Sequence, residues 1–376
     1  MLWTVVFTLP LMVAIQLVSA RIGYVTRHGL AANIRQQFPR WVLYGVVGML
    51  LAANTLNIAA DIAAMAEALR LLVGGSAHIY AVTFGLLCLV LQIFIPYQAY
   101  VSWLKWLTLA LLAYVGVVFA LRLDWTQVLT GLVRPNLVFG REMLLMVVAV
   151  FGTTISPYLF FWQAAQEMED SRNGDTLVHT PNEVRRHLKR IKLDTILGMT
   201  FSNLIAFFII LSTAATLHAA GITEIQTSAQ AAQALRPLAG DLSFLLFALG
   251  VIGTGMLAVP VLAGSAAYAV AEAAGWQGSL SLRLDQGEGR GFYGVIAAAT
   301  LGGVILCFTP TDPVKELFWS AVLNGVIAVP IMAVMMLLAA SPATMGKHVI
   351  GRRLSVFGWA ATAAMAATVM AMLATL

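Results

Sequence analysis

Apolar runs separated by short polar stretches recur along the whole chain. A helix needs roughly 20 apolar residues to cross the hydrocarbon of a bilayer. By that measure the pattern predicts about ten spans, near residues 2–20, 41–69, 78–96, 106–121, 142–165, 194–217, 241–273, 292–309, 317–340 and 354–375. The expected fold class is an all-α polytopic membrane protein.

One span carries an interruption, Gly152-Thr153-Thr154-Ile155-Ser156-Pro157-Tyr158. A bilayer holds no water to satisfy loose backbone groups, so irregular backbone at that depth survives only when buried in protein or lining a cavity. Pro157 has no N–H and frees the carbonyl four residues earlier, that of Thr153. The hydroxyls of Thr153, Thr154 and Ser156 stand beside it. Such a cluster of hard oxygen donors suits a small cation or a polar solute, and spans interrupted by Gly and Pro are the best sequence pointer to a transporter site.

Composition agrees with the span pattern. The chain is 60% hydrophobic and 10% charged, whereas soluble domains are about 45–50% apolar and about 25% charged. If odd-numbered loops face the cytoplasm, only Arg70, Arg122, Arg134, Arg141, Arg236 and Lys315 of the 22 Lys and Arg residues fall outside. This positive-inside bias accounts for the net charge of +5 and places the protein in the inner (plasma) membrane as a multi-pass protein. The basic run Val184-Arg185-Arg186-His187-Leu188-Lys189-Arg190 reads as a topology anchor in the loop at 171–192, with no nucleic-acid partner. Residues 1–20 lack the charged start and the cleavage site of a signal peptide. With about ten spans both termini share the outer side, so the chain reads as beginning one helix late. Cys88 and Cys307 both lie in apolar spans as buried small hydrophobes. No CxxC, HExxH or Walker pattern is present, and nothing suggests an enzyme.

Ionisable and amide residues inside spans are expensive and default to functional candidates. Asn54, Asn57 and Asp61 are spaced i, i+3, i+7 and share one helical face. With Glu67, nearer the outer interface, they form a candidate polar pathway; the alternative is hydrogen-bond glue between helices. Gln163, Gln166, Glu167, Glu169 and Asp170 follow the broken span toward the cytoplasm and form either an exit vestibule or a solvated helix end. Asn203 reads as glue, Asp194 as interfacial, and Asn324 lies deep enough to reach a central site. Pro10, Pro260 and Pro330 read as ordinary kinks.

Two segments carry a family resemblance. Gly152-Thr153-Thr154-Ile155-Ser156-Pro157-Tyr158-Leu159 resembles the broken sixth helix of the Nramp divalent-metal transporters, where the usual pattern is Gly-Ala-Thr-x-Met-Pro-His. Asn57-Ile58-Ala59-Ala60-Asp61-Ile62-Ala63-Ala64 is similar to that family's third helix with its Asp-x-x-Glu. The resemblance implies a LeuT-like inverted repeat: residues 1–121 as the remainder of the first repeat, 142–340 as the second, and 354–375 as an extra helix. It implies a divalent cation (Mg²⁺, Mn²⁺ or Fe²⁺) as substrate, no cofactor, and metal ligands at the Thr153 carbonyl and the Ser156 position; with Thr154, Tyr158 and Asn324 these are the candidate metal-binding positions, and Gly152 and Pro157 make the break. Ser156 stands in the family's Met position, and a hydroxyl favours harder ions than a thioether does. This resembles the divergent, magnesium-linked branch. Tyr158 replaces a His and Ala64 an acid, which thins the family's proton route. The family's first helix, with its Asp-Pro-Gly-Asn ligands, has no counterpart here, since Asp312-Pro313 sits in a short loop. The chain therefore reads as a shortened transporter. The rival expectations are an amino-acid or amine transporter on the same fold, and a non-transporting membrane remnant.

Overall fold

In a computed structural model the described residues fold predominantly into helices. The structure describes all residues except 96, 122, 135–139, 174–180, 223, 226, 281, 283–288, 310–311 and 376, and omits the side chains of 97, 98, 100, 101, 172, 173 and 181. Arg122, Arg283 and the Arg172 side chain, used in the charge argument, lie outside the described residues.

The helices run in order α1 (Trp3–Thr26), α2 (Leu30–Gln37), α3 (Arg40–Val73), α4 (Ala77–Phe94), α5 (Tyr97–Leu104), α6 (Leu112–Ala120), α7 (Trp125–Val133), α8 (Arg141–Thr154) and α9 (Pro157–Asn173). There follow α10 (Pro181–Thr213), the short α11 (Ser228–Ala232) and α12 (Arg236–Ala239), α13 (Ser243–Ala274), α14 (Arg290–Leu306), α15 (Pro313–Ala340), the short α16 (Pro342–Met345) and α17 (Arg352–Leu373). Among the described residues nine helical stretches are long and apolar enough to cross a membrane, with α8 and α9 counted together. The tenth expected span is α14. It is apolar but has only 17 residues, about 25 Å at 1.5 Å per residue, slightly less than the roughly 30 Å hydrocarbon thickness.

The helix α3 is central and packs against α13, α15, α14 and α4. Pro10, Pro260 and Pro330 lie inside α1, α13 and α15, which continue through them. Two details differ from the sequence expectation. The span near 106–121 opens as a 3-10 turn at Leu107–Leu111 before α6 begins. The expected loop at 171–192 is helical from Pro181 onward. Its cause is an apolar stripe, Val184, Leu188 and Ile191 at i, i+4, i+7, which packs on Leu17, Ala20 and Tyr24 of α1. The basic run is thus the N-terminal extension of α10.

Candidate functional site

The break falls between α8 and α9. The last bond of α8 runs from Ile155 N to Phe151 O at 2.7 Å, and Ile155 leaves helical geometry at φ −116°, ψ 62°. Ser156 is buried at 1% exposure. Its Oγ donates to Gly152 O (2.6 Å) and lies 3.1 Å from Thr153 O. The carbonyl expected to be free, that of Thr153, therefore shares the single Ser156 hydroxyl proton with Gly152 O, as the weaker of its two acceptors. Thr153 and Thr154 turn their hydroxyl hydrogens back to Val150 O, each at 2.9 Å. These hydroxyls and the two carbonyls make an uncharged cluster of oxygens at the break. Tyr158 packs at the seam of the two main apolar clusters.

The two half-helices dock on different partners. The helix α8 lies on α15 and α17, whereas α9 lies on α1 and α13. Each contact uses a glycine. A Cβ on Gly152 would sit 1.9 Å from Ala321 O and 2.6 Å from Gly325 N, and one on Gly23 would sit 2.2 Å from Ala164 O. Small residues let membrane helices approach at backbone distance.

Asn324 sits between Ala321 and Gly325 and is 3% exposed. It exchanges two hydrogen bonds with Asn57: Asn57 Nδ2 to Asn324 Oδ1 at 2.9 Å, and Asn324 Nδ2 to Asn57 Oδ1 at 3.0 Å. This closed amide pair ties α3 to α15 beside the break. Asn54 turns elsewhere, donating to Leu262 O and Ser265 Oγ of α13, each at 2.8 Å. The shared face of Asn54 and Asn57 therefore serves two neighbours rather than one track. Asp61 makes no hydrogen bond or ion pair with another described residue. Glu67 pairs with Arg70 at 2.7 Å in the last turns of α3, where Arg70 is half exposed.

Below the break a polar ladder connects α1 and α9. Gln16 Nε2 donates to Leu159 O and to Gln163 Oε1 (3.2 Å each), Ser19 Oγ donates to Phe160 O, and Gln163 Nε2 donates to Glu167 Oε1 at 2.8 Å. Glu167 and Asp170 then line a cavity of about 320 Å³ with Tyr24, Ser171, His187, Arg190 and Asp194. Of the residues expected to form either a vestibule or a solvated helix end, Glu167 and Asp170 share this cavity. Glu169 lies apart from it and accepts from Tyr268 Oη at 2.7 Å. The larger cavity, about 720 Å³, lies between α2 and the end of α13, near Arg35, Glu272 and Trp276, and shares only the α9 residue Met168 with this region. Gln16, Ser19 and Gly23 were not singled out from sequence, although their i, i+3, i+7 spacing marks one face of α1. Asn203 donates to Val5 O at 2.7 Å, which makes it glue between α10 and α1. Cys88 and Cys307 are buried and free. Among the described residues no three His, Cys, Asp or Glu side chains converge as a metal centre.

A family model described as "natural resistance-associated macrophage protein-like", Nramp, matches residues 1–375. The "divalent metal cation transporter MntH" of Aeromonas hydrophila is 25% identical over 264 residues, covering 68% of this chain and 61% of that protein. MntH of Erwinia tasmaniensis is 26% identical over 272 residues, covering 68% and 60%. The match thus spans about three-fifths of these relatives' length. A crystal structure of the Eremococcus coleocola manganese transporter, in complex with an aromatic bis-isothiourea compound, aligns with a TM-score of 0.76 at 19% identity, over 100% of this chain and 79% of that one. At that identity the likeness establishes the fold, which is LeuT-like.

Proposed function

Because the chain belongs to the Nramp family, we propose that it moves divalent metal cations across the inner membrane as a secondary transporter working by alternating access. The observation that carries this reading is the broken helix, whose halves pack mainly on different helices and whose junction gathers hydroxyl and carbonyl oxygens. Rocking α8 with α15 against α9 with α1, about Ile155 and Ser156, would open the junction to one side at a time. The names of the MntH relatives and of the manganese transporter support a divalent metal as cargo.

This cluster of oxygens suits a hard cation. When Ser156 Oγ swings away from Thr153 O, one hydroxyl and one carbonyl oxygen become available on neighbouring residues, with Thr153 and Thr154 hydroxyls adjacent. Neutral oxygens replace only part of an ion's water shell, so the ion keeps several waters, as Mg²⁺ does in most of its sites. Asp61, without an ion-pair partner among the described residues, lies one turn beyond Asn57 on α3. Asn324 acts here by holding α15 beside the break. Ser156→Met tests the donor set. Mg²⁺ uptake by the variant should fall about tenfold against Cd²⁺ uptake, the equivalent of about 1.4 kcal/mol in relative affinity. An unchanged Mg²⁺ to Cd²⁺ ratio removes Ser156 from the site.

A further inference from the structure

The extension of α10 carries a basic cavity that the transport reading does not use. Arg185, Lys189 and Lys192 fall at i, i+4, i+7 on one face. With His348 from the turn before α17, and with Val184 and Leu188 as an apolar floor, they line a cavity of about 320 Å³. No carboxylate lines it, and none of the three cations is ion-paired among the described residues. Their neighbour Arg190, on a different face, does have a partner, Asp194 at 3.4 Å. The turn bearing His348 is held in place, because Arg21 of α1 donates to His348 O at 3.1 Å.

We infer that this cavity binds the headgroup of an anionic phospholipid of the cytoplasmic leaflet. Three features point to a lipid as the source of the anion. The cavity sits where α10 leaves its apolar span, at the end that the charge bias places in the cytoplasm. Its floor is apolar, which suits a glycerol backbone. On the bilayer side the exposed stripe Leu193, Leu197, Phe201 and Leu204 begins one turn beyond Lys189 and runs along the neighbouring face of α10, where acyl chains can lie. Basic pockets at this depth attract lipid headgroup phosphate, each Lys or Arg contributing separately. A bound lipid would bridge α10 to the turn before α17.

Native mass spectrometry of the whole protein with phosphatidylglycerol tests the inference, beside Arg185→Gln/Lys189→Gln/Lys192→Gln and a control, Arg352→Gln/Arg353→Gln. Retention by the wild type and the control, with binding by the triple variant weakened on the order of a hundredfold, is the expected result. Equal retention by all three proteins, or equal retention of phosphatidylcholine by the wild type, overturns it. Inorganic phosphate displacing the lipid at millimolar concentration would overturn the lipid as occupant and leave a simple anion site. Should the triple variant fail to fold, a photoreactive phosphatidylglycerol on the wild type gives the same answer: labelling within residues 184–192 supports the inference, and labelling elsewhere refutes it.

Discussion

Gly152→Ala is expected to cost the protein both stability and transport. The added methyl would lie 1.9 Å from Ala321 O and 2.6 Å from Gly325 N, and both are backbone atoms that no rotamer change can move aside. Overpacking of this kind costs about 1–3 kcal/mol, and a backbone clash places it at the upper end. The helices α8 and α15 would have to separate, and the break would move with them. Gly198→Ala in α10 is the control. Nothing lies within 4 Å of its Cβ position, and alanine is the better helix former by about 1 kcal/mol. Thermal unfolding in detergent, paired with uptake in proteoliposomes, reads both effects. Equal unfolding midpoints for Gly152→Ala and wild type would show that α8 and α15 are not in backbone contact.

The second large effect is expected at the amide pair. Removing Asn57 leaves Asn324 with a buried, unmatched amide, which costs about 1–3 kcal/mol; removing Asn324 costs less, because the half-buried Asn57 still donates to Ala53 O at 2.8 Å. Side-chain hydrogen bonds within membranes average about 0.6 kcal/mol in double-mutant cycles and reach about 1.7. Two reciprocal bonds therefore predict a coupling of about 1–2 kcal/mol between Asn57→Ala and Asn324→Ala. The double variant should be clearly more stable than the sum of the single losses implies. Strict additivity would mean that the pair does not hold α3 to α15, since independent sites add within about 0.5 kcal/mol. Asn54→Ala, whose partners lie on α13, should not couple to Asn324.

The spans and the break were legible because both depend on local rules. Run length sets what can cross a bilayer, and Pro157 removes a donor wherever it sits in a helix. What each polar side chain meets depends on the neighbouring helices, which periodicity does not report. Asn54 and Asn57 share a face by spacing, yet α3 lies between α13 and α15 and the two amides part toward different helices. The carbonyl of Thr153 follows from the proline, but its share of the Ser156 hydroxyl depends on a rotamer chosen in a buried space. Glu67 reads as a pathway residue because it lies in a long apolar helix, and that reading did not weigh Arg70, its partner one turn later. The helical form of 181–193 did have a signal, the spacing of Val184, Leu188 and Ile191, masked by the density of charge around it. The ladder from Gln16 to Glu167 was missed on the α1 side because a single Gln and Ser in an apolar span resemble ordinary packing residues until Gly23 is seen on the same face.

The most direct test of the account is uptake of Mg²⁺ and Mn²⁺ into proteoliposomes carrying the 376-residue protein, beside protein-free liposomes of the same lipid. The account predicts saturable influx of at least one ion, competed by the other and lost in Gly152→Ala. Influx no faster than in protein-free liposomes, with the protein folded and inserted, would contradict it.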